Sequence, residues 1–303
     1  MKLHHGTMQN PSLHFIDCPQ GVGSHRMAYW QWGNPNAAHM VLCVHGLTRQ
    51  GRDFDVLAQA LVAQSEGRVT VVCPDVAGRG HSDWLTDPQG YQIPTYVADM
   101  LWLLKTLKPR VLDWVGTSMG GLIGMALCAH APSVGTEVRR LVLNDVGPVI
   151  EWAALQRIRS YLGQNMQFAS LEQALRALQF LFNAFGPHTE AQWRALSMPM
   201  LKPSADGTAG VALHYDPAIA LPFQNLTQEA SLQAEAIWWQ LYDAITAPTL
   251  LLRGADSDLL SPATAQAMTQ RGPRAQLCEF AGVGHAPTLV VSEQVRAVAS
   301  FLL

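Results

Sequence analysis

The sequence predicts an α/β protein built on a doubly wound, mostly parallel sheet, with a helical segment inserted late in the chain. Three observations lead there. Short, almost wholly apolar runs bounded by Gly, Pro, Asn and Asp recur along the chain, segments with apolar residues at helical spacing lie between them, and from about 149 to 236 helical patterns dominate without a further buried strand of that type. A run that is apolar at every position is a strand buried on both faces, as in a parallel sheet covered by helices on each side.

Residues 27–32 alternate as an early strand that stops at Gly33-Asn34-Pro35-Asn36, a strong turn signal. The run 40–44 is a buried strand delivering His45-Gly46-Leu47-Thr48. Residues 54–63 have helical spacing, and 69–73 form another buried strand, followed by a Gly-rich turn in which Asp75 and His81 read as scaffold. A helix is expected over 96–108, a strand over 111–115 and a helix from Met119 onward. Strand 140–144 leads into Asp145-Val146-Gly147-Pro148, after which helices are expected over 152–162 and 171–185, with a looser piece over 202–223. The sheet resumes at 249–252, after a helix holding Trp238 and Trp239; a strand over 275–280 and an amphipathic helix over 293–303 close the chain.

The expected organisation is a core domain of residues 1–147 and 237–303 and a helical cap of residues 148–236. The cap would sit over the carboxyl edge of the sheet, where open α/β folds bind ligands. Its aromatic residues Trp152, Tyr161, Phe180, Phe182, Phe185, Trp193 and Phe223 are expected to divide between packing and lining a pocket.

Apolar residues make up 49% of the chain and charged ones 14%, the balance of a globular protein with a large core, and the net charge is −3. No basic patch points to nucleic acid. The amino terminus lacks the apolar stretch of a secretory signal, and no apolar run reaches the length of a membrane span. The expectation is a cytoplasmic monomer or homodimer acting on a small molecule, without membrane or nucleic-acid partners. The five cysteines, Cys18, Cys43, Cys73, Cys128 and Cys278, show no CxxC spacing and are expected to be reduced core residues. Although there are 11 histidines, no HExxH or paired Cys/His spacing occurs, and His4-His5 reads as incidental, so neither metal nor cofactor is expected.

The chemistry concentrates at Gly116-Thr117-Ser118-Met119-Gly120. This is a G-x-S-x-G pattern between a predicted strand and a predicted helix, a nucleophile elbow that lifts a serine hydroxyl above the sheet at a helix amino terminus. A free serine hydroxyl is a weak nucleophile at neutral pH; it needs a base, and the base needs an acid to fix its tautomer. His285, between Gly284 and Ala286 in the loop after the last predicted strand, is the expected base. Candidates for the acid are Asp256 and Asp258, together in the loop after strand 249–252, and Asp145 after the preceding strand.

The segments HGLT at 45–48, GTSMGG at 116–121, RGADSD at 253–258 and GVGH at 282–285 occur in an order and context that resembles the α/β-hydrolase family over nearly the whole chain. The resemblance implies an eight-stranded sheet with a cap, a nucleophile at Ser118 and a base at His285. It favours Asp258 as acid, because the family carboxylate sits a few residues before a proline, here Pro262; some relatives carry the acid where Asp145 stands. The loop has one residue more between Gly254 and Asp258 than the commonest family spacing. The implied oxyanion donors are the backbone N–H groups of Leu47 and Met119. Capped, cofactor-free members imply hydrolysis of a carboxylic ester, lactone or thioester through an acyl-serine. The alternatives are carbon-carbon bond hydrolysis of a ring-cleavage product of aromatic degradation, and a non-catalytic binding protein on the same fold. Haloalkane dehalogenases and epoxide hydrolases carry aspartate where this chain has Ser118, which disfavours both activities.

Overall fold

The structure, a computed structural model, describes residues 10–21, 23–134, 137–204 and 210–303; His4 and His5 lie outside the described residues. The chain opens with a hairpin of β1 (Ser12–Gln20) and β2 (Gly23–Trp32). It continues through β3 (His39–Val44), α1 (Asp55–Gln64), β4 (Val69–Pro74), α2 (Ile93–Leu107), β5 (Val111–Thr117), α3 (Met119–Val134) and β6 (Arg140–Asn144). An inserted segment then carries α4 (Trp152–Tyr161), β7 (Gln167–Phe168), α5 (Leu171–Leu181), α6 (Glu190–Ser197), β8 (Leu201–Pro203), β9 (Val211–Leu213), α7 (Leu221–Gln224) and α8 (Gln228–Asp243). The sheet is completed by β10 (Thr249–Gly254), α9 (Pro262–Met268), β11 (Gln276–Phe280) and α10 (Ser292–Leu302).

The eight strands lie in the order β1-β2-β4-β3-β5-β6-β10-β11. β1 and β2 pair antiparallel, as do β2 and β4, and every later pair is parallel. Alternation within the central strands explains why they read as continuous apolar runs. Leu42 and Val44 of β3 and Leu112 and Trp114 of β5 join the core on one face, while Val41, Cys43 and Val115 join the core on the other. Both faces are therefore dry: Leu57, Leu61, Val295 and Val298 of α1 and α10 cover one, and Met100, Leu103 and Ile123 of α2 and α3 cover the other.

Two features went beyond the sequence pattern. β1 is an edge strand whose Phe15 is exposed, so it lacks the continuous apolar signature of its neighbours. The insertion is not helical throughout: β7, β9 and β8 form a small antiparallel sheet whose strands of two or three residues are too short to show a periodicity. The five cysteines are free, four of them buried. Among the described residues no helix is long and apolar enough to cross a membrane.

The chain leaves β3 toward β4 on one side and returns to β5 on the other, so the carboxyl ends of β3 and β5 flank the point where the winding reverses. That crevice is open to a ligand because the two connections diverge from it. His45-Gly46-Leu47 and Ser118 lie at its two sides.

Candidate active site

Ser118 follows β5 at φ 51°, a left-handed conformation that non-glycine residues rarely adopt. Its neighbours make the turn sterically feasible. A Cβ on Gly116 would collide with the backbone of Gly120 and Gly121, and one on Gly120 with the carbonyl of Val44. The turn is pinned by the Ser118 N–H, which donates to the Asn144 carbonyl at 2.9 Å, while Gly121 N–H closes onto the Ser118 carbonyl at 2.8 Å.

Ser118 Oγ lies 2.9 Å from His285 Nε2, and His285 Nδ1 lies 2.6 Å from Asp145 Oδ2. An ionised carboxylate only accepts, so Nδ1 carries the hydrogen and Nε2 presents its lone pair to the serine hydroxyl. Asp145 has no exposed surface, and its charge is compensated by further donors: Gly254 N–H reaches Oδ1 at 2.9 Å and Ser257 Oγ donates to Oδ2 at 2.6 Å. Asn144, immediately before it, donates through Nδ2 to Thr117 Oγ1 at 3.0 Å and to the Pro287 carbonyl at 2.8 Å, tying the serine turn to the histidine loop.

The expectation that Asp258 supports His285 is corrected. Its carboxylate is bound in two places by Arg157, from Nε at 2.6 Å and Nη2 at 2.8 Å, and its side chain is 47% exposed. Asp256 is also exposed. The reason lies in strand order: β6 lies between the serine strand β5 and β10, so the residue leaving β6 lies nearer the serine turn than the loop leaving β10. That loop still contributes, through Ser257. Ser257 carries no signal in the sequence beside two carboxylates; Asp145 carries one, a lone acid ending a fully buried strand.

Leu47 lies in the loop three residues beyond β3, and Met119 is the first residue of α3. The Gly46 carbonyl accepts from His45 Nδ1 at 2.7 Å and from Arg49 N–H at 3.2 Å, and Arg79 Nε donates to the Leu47 carbonyl at 2.8 Å. In a trans peptide the Leu47 N–H points opposite to the Gly46 carbonyl, so these bonds fix its direction. Gly46 borders the serine: a Cβ there would lie 3.7 Å from Ser118 Cβ.

His45 thus serves the loop as a neutral group, its Nε2 accepting from Val76 N–H at 2.9 Å. Burial, assisted by the nearby charges of Arg79 and Arg49, pushes it from 6.5 down to about 3. Since the unfolded chain takes up this proton more readily than the folded one, the stabilisation from neutral His45 is complete above 6.5 and is lost as the pH falls toward about 3. Asp75 runs the other way: burial raises it from 3.8 to about 6, so its contribution is complete below 3.8 and fades as the pH rises through 6. In a His45→Asn variant the melting temperature should fall less between pH 6.5 and 5 than in the unmodified protein; thermal melts across that range measure it. An equal fall in both would remove His45 as a source of acid lability. Asp75 accepts from the N–H groups of Gly51 and His81, at 2.8 and 2.9 Å, and His81 packs edge-on against Trp30 and His214.

Ser118 and His285 line a cavity of about 830 Å³, counting its open mouth. Its wall is mostly apolar, and Arg157, Tyr161, Phe182 and Phe185 reach it from the insertion. Of the other aromatic residues expected there, Trp193 stacks behind Phe185, Phe223 packs on the core, and Phe180 is 82% exposed.

Among the described residues one group of potential metal ligands gathers, Cys18, His25 and Asp99, with ligand atoms within 4.8 Å of one another. His25 Nε2 and Asp99 Oδ2 are already hydrogen-bonded at 3.0 Å, and burial together with the Asp99 charge pushes the Cys18 thiol far up, so it stays protonated. The trio packs inside the core formed by β1, β2 and α2, apart from Ser118.

An open α/β sheet with a serine on a strand-to-helix turn, joined through a histidine to a buried aspartate, defines a fold with its site at the carboxyl edge. Residues 40–290 match the family described as alpha/beta hydrolase fold, and the chain belongs to that family. It is 47% identical over 294 residues to a 3-hydroxybutyrate-oligomer hydrolase of Cupriavidus necator, across 96% of this chain and 98% of that protein. Among solved structures, an alpha/beta hydrolase from Novosphingobium aromaticivorans superimposes with TM-score 0.81 at 33% identity, over 97% of this chain and 98% of the other. A chain from Rickettsia typhi, solved as a candidate hydrolase, gives TM-score 0.85 at 28% identity, over 96% and 98%.

Proposed function

We propose that this chain hydrolyses carboxylic esters through an acyl-serine on Ser118, and that its substrates are short oligoesters of 3-hydroxybutyrate. The observation that carries the chemistry is the unbroken line of hydrogen bonds from Ser118 Oγ through His285 to buried Asp145, at 2.9 and 2.6 Å, opening into an apolar cavity. The near full-length likeness to the Cupriavidus necator enzyme supports the substrate class.

Ser118 Oγ attacks the ester carbonyl as its proton passes to His285 Nε2. Negative charge forms on the carbonyl oxygen and is met by the N–H groups of Leu47 and Met119, the second helped by the positive end of α3. The carbon–oxygen bond of the ester then breaks, and Nε2 returns the proton to the departing alkoxide. Water repeats the sequence on the acyl-serine: its proton goes to Nε2, the acid leaves, and Ser118 regains its hydrogen. Asp145 holds the imidazole in its working tautomer and balances its positive form throughout. Residues 1–147 and 237–303 act as the catalytic core and residues 148–236 as a cap that supplies the outer wall of the cavity. The free thiols fit a reducing, cytoplasmic setting.

The test is release of monomeric 3-hydroxybutyrate from its purified dimer and trimer, together with labelling by a serine-directed phosphonate located by peptide mass. Release of monomer and an adduct on Ser118 are expected. An adduct at another residue overturns the nucleophile, whereas cleavage of p-nitrophenyl butyrate without cleavage of either oligomer overturns the substrate class alone.

A further inference from the structure

The wall around Ser118 holds two guanidinium groups, and they differ in what they have left to offer. Arg49 is buried and fully engaged: Nε and Nη2 bind Asp53 at 2.7 Å each, Nη2 also donates to the Leu196 carbonyl at 2.9 Å, and Nη1 points at Met200 Sδ at 2.6 Å. Arg157, on α4, is 44% exposed and is held through Nε and Nη2 by a partner, Asp258, that is equally open to solvent. An ion pair this exposed contributes little to stability, so nothing in the fold requires it to stay closed. The paired fork is also the geometry in which a guanidinium receives any carboxylate, and Asp258 displays it on an arginine that lines the same cavity as Ser118.

We propose that Arg157 binds the free carboxylate of an oligoester substrate, taking it in place of Asp258. This rests on the oligoester-hydrolase reading above and specifies the end from which the chain is cut. A 3-hydroxybutyrate oligomer carries its free carboxylate on the alcohol side of its last ester bond. Holding that carboxylate at Arg157 makes the terminal unit the leaving group. The bond between the penultimate carbonyl and the terminal hydroxyl oxygen breaks, His285 returns the proton to that oxygen and one hydroxy acid departs; water then frees the shortened oligomer from Ser118, so each turnover removes one unit. Arg49 is balanced by Asp53 and Arg157 by Asp258, so removing the Asp258 charge favours an incoming anion and removing the Arg157 charge disfavours it.

The experiment compares the 3-hydroxybutyrate dimer as free acid with its methyl ester, which has the same scissile bond without the charge. The readout is the ratio of kcat/KM for acid over methyl ester, which a purely structural defect would not move. Arg157→Gln should lower that ratio by about 10- to 100-fold, mostly through KM, Arg157→Lys should recover part of it, and Asp258→Asn should raise it. A ratio unchanged in Arg157→Gln, or lowered in Asp258→Asn, overturns the assignment. If Arg157→Gln does not fold, the direction of the Asp258→Asn change decides. Failure of this subsite leaves both dimers cleaved at a ratio that Arg157→Gln does not change, whereas failure of the underlying reading shows as cleavage of neither dimer by the unmodified protein.

Discussion

Replacing Ser118 with alanine is expected to leave a folded protein whose turnover of ester substrates is lower by about 10³- to 10⁶-fold. The loss is large because the hydroxyl is the reacting atom, and the residual rate is what the oxyanion donors and the cavity supply without it. The fold should survive because alanine has the same Cβ as serine and so bears the same cost at φ 51°; what disappears is one hydrogen bond to His285. Glycine at that position escapes the cost of the left-handed conformation. Ser118→Gly should therefore be as inactive as the alanine variant yet more stable than it by about 1–2 kcal/mol. Initial rates with p-nitrophenyl butyrate and thermal melts of the three proteins measure both effects. An alanine variant with near-normal turnover would sink the acyl-serine mechanism.

The second large effect belongs to Asp145. Asp145→Asn keeps the size of the side chain and removes the charge that holds His285 Nδ1–H, and loss of such an acid costs about 10⁴-fold in turnover in well-studied triads. Asp258→Asn removes a half-exposed carboxylate whose partner is Arg157, so on a neutral ester its rate should stay within about tenfold of the unmodified protein. The two variants differ by one atom each and sit on neighbouring loops, so a gap of two or more orders of magnitude between them cannot come from a general disturbance. Melting curves for both guard against a destabilised loop imitating a chemical defect. A severe Asp258→Asn beside a mild Asp145→Asn would mean that the bonded line in the resting protein is not the one that works.

Most of the fold was legible because its strands are buried on both faces. The runs around Val41, Val71, Trp114, Val142 and Leu251 admit no reading but a strand covered by helices, and their spacing gives the winding. β1 and the small sheet of the insertion were not legible, since one is a half-exposed edge and the other has strands shorter than any periodicity. Ser118 and His285 were legible for a different reason: each sits in a glycine-bearing turn that directly follows a recognisable strand.

What the sequence by itself determined is the doubly wound sheet, from the recurrence of buried strands and helices, and the serine turn and histidine loop, each marked by glycines beside the reacting residue. What only the tertiary structure decided is the partner of His285. Asp145, Asp256 and Asp258 each stand beyond the end of a buried strand, and Asp145 alone has no second acid beside it, a signal too weak to choose between them. They differ in which strand neighbours β5, in whether the carboxylate is dry, and in the donors brought from elsewhere, Gly254 and Ser257 to Asp145 and Arg157 to Asp258. Those are contacts across more than a hundred residues of chain, fixed by lateral strand order and by the docking of α4, and no local pattern carries them.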